Sequence, residues 1–358
     1  MYSRADDVTS MLYSYYIKYN RLFELNNQVD TITKTRIIDI YVDIYDMIRR
    51  VYNASVTGIS RFAITSAIIN LAAHIRTYYK TRHKTWARIF LVYGSEVTNN
   101  HRQFYNGFSN FMNISSIDYD RIDNLVKSQI ELVKILAAYI DDVYYVERKT
   151  DFTMFVYDNI INTLNQYPNS VSIIISKNKY AYQIPAMMLG RRVYLFRPSK
   201  GNGEDRSICI SPNTALTLYY HSINKVDVKA RLQVINPELL SVMMTLNGCK
   251  DKGVNSLTNI IRASRMVDGA INCNKMLNSY QSDMKWVYNA LDGINTITDF
   301  PTFDTRFKAL DLKFQYMLYC ASIESKDFSW NLNLSDPDTI RDINNKYFID
   351  NPLDLNGL

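Results

Sequence analysis

Residues 171–183 read Val-Ser-Ile-Ile-Ile-Ser-Lys-Asn-Lys-Tyr-Ala-Tyr-Gln. Val171–Ser176 is a short run of branched apolar residues with a Ser at its end, the pattern of a strand buried on both faces. Three other segments share it. Arg36–Val42 (RIIDIYV) and Trp86–Tyr93 (WARIFLVY) precede it, and Arg192–Phe196 (RVYLF) follows. Between them lie stretches of helical periodicity: 43–52 opening at Asp43, 60–80 with Phe62, Ile64, Ala67, Ile68, Leu71 and Ile75, a long helix over 121–148, and another over 152–164. Strands alternating with helices predict an α/β fold with a mainly parallel central sheet flanked by helices.

Outside this region the pattern changes. Residues 8–26 space Met11, Leu12, Tyr15, Tyr19, Leu22 and Phe23 as an amphipathic helix. From about residue 212 the strand signals stop. Helical apolar clusters follow at 237–246, 255–278, 283–294 and 304–324, and the end of the chain is polar and Asx-rich. The expected organisation is an N-terminal helical extension (1–35), an α/β core (36–211), a helical region (212–330) and a polar tail (331–358).

Composition bounds the function. The chain has 358 residues, 47% hydrophobic and 21% charged, so it can bury a large core and is not a disordered polymer. A net charge of +6 permits binding to nucleic acid without requiring it. Cys209, Cys249, Cys273 and Cys320 have no CxxC spacing, which leaves zinc and redox motifs without support. His74, His83, His101 and His221 form no metal-ligand pair at helical spacing. Neither a Gly-x-Ser-x-Gly elbow nor a Gly-x-Gly-x-x-Gly loop occurs, and Lys200-Gly201-Asn202-Gly203 is a turn rather than a phosphate loop. No apolar stretch approaches the length of a membrane span, so no membrane partner is expected.

In open parallel sheets functional residues gather where strands end. The first strand is followed by Asp43 and then Arg50. After the second come Tyr93-Gly94, Arg102, Tyr105 and Phe108. Tyr139-Ile140-Asp141-Asp142 lies on the expected helix before Val171. Ser176 and Gln183 bracket the segment after Val171–Ser176, and Pro237–Arg265, with Gly248, reads as a helix–turn–helix element. In order and spacing this resembles the 5′-nuclease (flap-endonuclease-like, PIN-like) family. There the first strand ends in Asp with an Arg in the next helix, and the second ends in Phe-Asp-Gly. A Glu-Ala-Asp-Asp motif opens a helix, the third strand runs into Ser-Gly-Asp-x-Asp-x-x-Gln, and a later helix–turn–helix carries Gly-Asp. The resemblance spans roughly residues 36–270.

The resemblance implies metal-dependent phosphodiester hydrolysis at clustered carboxylates, and this chain departs from it there. Asp43, Asp141 and Asp142 match family carboxylates, and Asp251 remains near the helix–turn–helix turn. Tyr139, Tyr93, Asn178, Tyr180 and Cys249 stand at positions where the family carries acids. Two hard cations need several anionic oxygens. Asp43, Asp141, Asp142 and Asp251 are therefore at most a residual metal site; the bland alternative is that Asp43 caps a helix and the Asp pair lies in a solvated turn.

Basic clusters at 76–88 (Arg76, Lys80, Arg82, His83, Lys84, Arg88) and around Arg191, Arg192, Arg197 and Lys200 could neutralise phosphates, or could be ordinary solvated charge. By position Arg50, Lys80, Arg82, Lys84, Arg102 and Tyr105 are the candidate nucleic-acid contacts. The expected function is non-catalytic: a nuclease-derived protein of a phage or virus that binds DNA or a viral protein partner and needs no cofactor. The bias to Tyr (28 residues), Asn, Ile and Lys fits an AT-rich genome. The alternatives are an active 5′-3′ exonuclease or flap endonuclease using Mg2+ or Mn2+, and a structural virion scaffold. The expected location is the host cytoplasm or the virion.

Overall fold

The computed structural model describes residues 37–44, 63–78, 86–94, 130–137, 140, 142–148, 152–197, 208–216, 218–219, 238–249, 300–321 and 329–330. The elements in chain order are β1 (Ile37–Asp43), α1 (Ala63–Tyr78), β2 (Trp86–Gly94), α2 (130–137), β3 (Val143–Arg148), α3 (Phe152–Gln166), β4 (Val171–Ile175), a 3-10 turn (Lys179–Tyr182), α4 (Gln183–Met187) and β5 (Arg192–Arg197). β6 (Ile208–Ile210), α5 (Glu238–Asn247), α6 (Phe300–Leu310), α7 (Leu312–Ala321) and β7 (Ser329–Trp330) follow.

All seven strands form one sheet in the order β6-β5-β4-β1-β2-β3-β7. The five strands from β5 to β3 are parallel, and β6 and β7 close the two edges antiparallel. This is the α/β architecture with a mainly parallel sheet that the apolar runs predict. Every residue of β1 is buried because the strand lies mid-sheet with a packed layer on each face. On one face Tyr41, Phe90, Val146, Ile174 and Leu195 pack with α3, α4 and the helices α5 to α7. On the other Ile38, Ile40, Val42, Ile89, Leu91 and Ile173 pack with α1 and α2. Burying one such side chain contributes roughly 1.5–3 kcal/mol.

Strand order and helix placement obey one rule of handedness. From β1 the chain steps to β2 and β3 through α1 and α2, which cover one face. From β3 it crosses through α3 on the other face, enters at β4 on the far side of β1, and continues outward to β5. Right-handed crossovers require the covering face to change when the direction changes. The direction reverses between β1 and β4, so the switch point of the sheet lies there.

The long helix expected over 121–148 is not formed. The described part is α2 (130–137), and residues 143–148 are strand β3. Val143-Tyr-Tyr-Val146 is a β-branched and aromatic run, and pairing to β2 outweighs the helical periodicity before it. The short strands β6 and β7 also escape the sequence reading, β7 at a point where only helix is expected. The N-terminal helix at 8–26 and the clusters at 255–278 and 283–294 lie outside the described residues.

Candidate functional site at the carboxyl edge of the sheet

Strand register sets the site. Val42 is level with Ile175, and Ile175 with Phe196. The next residues, Asp43, Ser176 and Arg197, therefore stand level at the carboxyl ends of three adjacent strands. Side chains alternate along a strand, and Tyr41, Ile174 and Leu195 face the α3 side. Asp43, Ser176 and Arg197 thus share that face, in a row across the switch point.

The row is tied together from β4. The Ser176 hydroxyl donates to Asp43 Oδ2 at 2.7 Å, and both residues are buried. Ser176 Oγ in turn accepts from the Asn178 amide at 3.0 Å. The Asn178 side-chain oxygen accepts from the Tyr180 amide at 2.8 Å and so caps the 3-10 turn. Tyr180 and Tyr182 are wholly buried in the apolar core. Lys177 and Lys179, between these residues, are half-buried.

Gln183 closes the segment as a structural keystone. Its Oε1 accepts from the Leu312 amide at 2.9 Å and lies 3.0 Å from the Ser241 hydroxyl. Its Nε2 donates to the Leu310 carbonyl at 2.9 Å. The Ser241 hydroxyl also reaches Asp311 Oδ2 at 2.8 Å, and Asp311 Oδ1 caps α7 at the Phe314 amide, 2.7 Å away. The Ser-x6-Gln frame thus has a physical meaning here. Ser176 orients the acid of β1, and Gln183 docks α5, α6 and α7 against the segment that carries Ser176.

Of the carboxylates expected to cluster, Asp43 and Asp142 are described, and they are not brought together. Asp142 occupies a turn with φ of 62° directly before β3 rather than a position on a helix. Its carbonyl accepts from the Ile89 amide at 2.8 Å. Val143 is level with Ile89, and Ile89 with Ile40, so Asp142 is level with Asp39. At about 3.3 Å per residue it lies roughly 13 Å nearer the amino edge than Asp43. Asp141, Asp251, Arg50, Lys80, Arg82, Lys84, Arg102 and Tyr105 lie outside the described residues.

The sequence reading missed another acid, Glu147. Strand β3 ends beside Tyr93 and precedes α3, the helix that leads into β4. Glu147 is there, level with Tyr93 at the carboxyl edge. The signal was the Val-Tyr-Tyr-Val-Glu run at 143–147, read as helix. Asp151, just before α3, lies outside the described residues.

Two members of the 76–88 basic cluster have other partners. Arg76 is buried on α1. Arg88 reaches across to the wholly buried Asp39 with two hydrogen bonds of 2.7 Å. Thr163 of α3 donates to the same carboxylate at 2.9 Å, and Tyr41 at 3.3 Å. Burial alone would lower the Arg88 guanidinium, but its hydrogen bonds to Asp39 and that residue's charge raise it. This ion pair is mid-sheet, away from the carboxyl edge.

Among the described residues the fit to a pair of divalent cations is poor. Among the described residues no three of His, Cys, Asp and Glu converge to hold a metal. Asn178 commits its oxygen to a backbone cap, and Tyr180 fills core volume. Tyr93 packs against the apolar cluster on the α1 face. Of the helix–turn–helix element, α5 is described; it ends at Gly248, whose φ of 75° suits glycine, and Cys249 is buried in the core. The remainder lies outside the described residues.

No protein-family model and no curated sequence matches the chain. Among solved structures it is similar to the D15 protein of phage T5 crystallised with metal ions, at 11% identity over 78% of this chain and 90% of that one, with a TM-score of 0.49. It is also similar to the bacteriophage T5 D15 flap endonuclease in complex with DNA and metal ions, at 10% identity over 81% and 94% of the two chains, TM-score 0.49. A third similar structure is the T5 5′-exonuclease with bound zinc, at 10% identity over 78% and 90%, TM-score 0.48.

Proposed function

We propose that this chain is a catalytically degenerate 5′-nuclease-like protein of a phage or virus, acting in the host cytoplasm or the virion by binding DNA. The observation that carries the reading is the fate of the two positions after β4 where the resembled family places metal-binding acids. Asn178 is a helix cap and Tyr180 is a core residue, so neither offers an anionic oxygen to the switch-point crevice. Asp43 remains, held by Ser176. Among the described residues it is the one acid on that row, and two divalent cations need several anionic oxygens. A crevice lined by that row can meet a nucleic acid, and hydrolysis there would need further anionic oxygens.

A second reading, an active metal-dependent 5′-3′ exonuclease or flap endonuclease, draws support from the buried Asp43 that Ser176 orients at the switch point. Incubation of the purified protein with a labelled 5′-flap DNA in Mg2+ or Mn2+ separates the two. The degenerate reading expects no cleavage above a protein-free control. Cleavage that disappears in Asp43→Asn would establish the enzyme instead. If the protein binds no DNA at low salt, the fold serves as a protein scaffold.

A further inference from the structure

The carboxyl edge has lost acid and gained base. Residues 171–183 and 192–197 contain no Asp or Glu, whereas Lys177, Lys179 and Arg197 lie at the ends of β4 and β5. Arg197 holds the level of Ser176 and Asp43 on the same face, one strand from Ser176 and about 4.8 Å per strand along the row. Its guanidinium rests over the fully buried Tyr182, with Cζ 6.0 Å from the ring centroid and Nη1 3.4 Å from the hydroxyl. Tyr182 is itself braced edge-on by Tyr219, with centroids 5.5 Å apart. The buried Nε of Arg197 has no hydrogen-bond partner among the described residues. A planar cation held on a buried ring at the carboxyl edge loses little freedom on meeting an oxyanion.

We propose that Arg197 binds a nucleic-acid phosphate at the switch-point crevice, so that a resident guanidinium does there what a divalent cation does in metal-dependent nucleases. Fixed positive charge at the ends of β4 and β5 repels a metal ion and attracts a phosphate. The DNA-binding reading supplies the phosphate, and the inference deepens it. DNA binding by this protein is then independent of divalent cations.

The test is fluorescence anisotropy of the full chain with a labelled 5′-flap DNA, once in Mg2+ and once in EDTA. The Kd should agree within about twofold between the two buffers, and Arg197→Ala should weaken binding about tenfold or more in both. Arg197→Lys should restore part of the loss, and the salt slope of the Ala variant should fall by about 0.9, one phosphate. Thermal unfolding confirms that each variant folds, and Arg197→Gln replaces the Ala variant if that one does not. Loss of binding in EDTA, or an unchanged Kd in a folded Arg197→Ala, overturns the inference and leaves the DNA reading standing. Calorimetric titration with inorganic pyrophosphate decides the converse case. Saturable binding lost in Arg197→Ala supports the phosphate site even if DNA does not bind. Absence of pyrophosphate and DNA binding by the wild type overturns both.

Discussion

Arg88 and Asp39 are register partners across β2 and β1, 49 residues apart, joined by two hydrogen bonds of 2.7 Å each. The carboxylate is wholly buried, and the arginine is 21% exposed. Removing the cation leaves an uncompensated charge between two strands. Arg88→Ala should cost about 3–5 kcal/mol, and replacing both residues by apolar ones (Asp39→Leu with Arg88→Met) should recover most of it. Urea unfolding measures both. A loss below about 1 kcal/mol for Arg88→Ala would show that the pair is not a structural anchor.

Gln183 joins α4 to α5, α6 and α7 through buried hydrogen bonds to Leu310, Leu312 and Ser241. Gln183→Leu keeps the volume and strands those partners, at about 1–3 kcal/mol for each buried group left unsatisfied. Hydrogen exchange should show residues 300–321 losing protection before the strands do. Equal loss across the sheet would contradict a docking role.

Alkaline pH should unfold the protein through its buried tyrosines. Burial first, and then the charge of Asp39, raises the Tyr41 hydroxyl well above its ordinary value. Burial and Asp311 raise Tyr157 in the same way. A raised folded-state pKa means that the unfolded chain releases its proton first. Stability is therefore whole below about pH 10 and falls as pH climbs beyond it, by up to about 1.4 kcal/mol per pH unit for each such tyrosine. The slope of unfolding free energy between pH 10 and 11 should flatten in Tyr157→Phe, and an unchanged slope refutes the assignment.

If the basic segment at 76–88 also meets DNA, Lys80, Arg82 and Lys84 changed together to Ala should weaken binding alike on unrelated sequences. The slope of log affinity against log salt should shrink by about 0.7–0.9 for each phosphate no longer neutralised. Thermal unfolding checks that the variant folds. Anisotropy at several salt concentrations gives the answer, and an unchanged slope removes these residues from the interface.

Four of the central strands were legible because a strand buried on both faces must be apolar at nearly every position, and β1, β2, β4 and β5 are. The alternation with helices then determined the fold class. β3 was not legible, because a run of Tyr and Val after a helical stretch satisfies both periodicities until β2 is there to pair with it. Asp39 drew no reading of its own, and Arg88 was grouped with the basic cluster at 76–88. Asp43 and Ser176 were singled out one by one, but their hydrogen bond joins residues 133 apart in sequence. Arg197 joins their row only because β5 lies beside β4. Sequence carries what is periodic and local; strand order and register, which arise when distant segments bury their faces together, decide which charges meet.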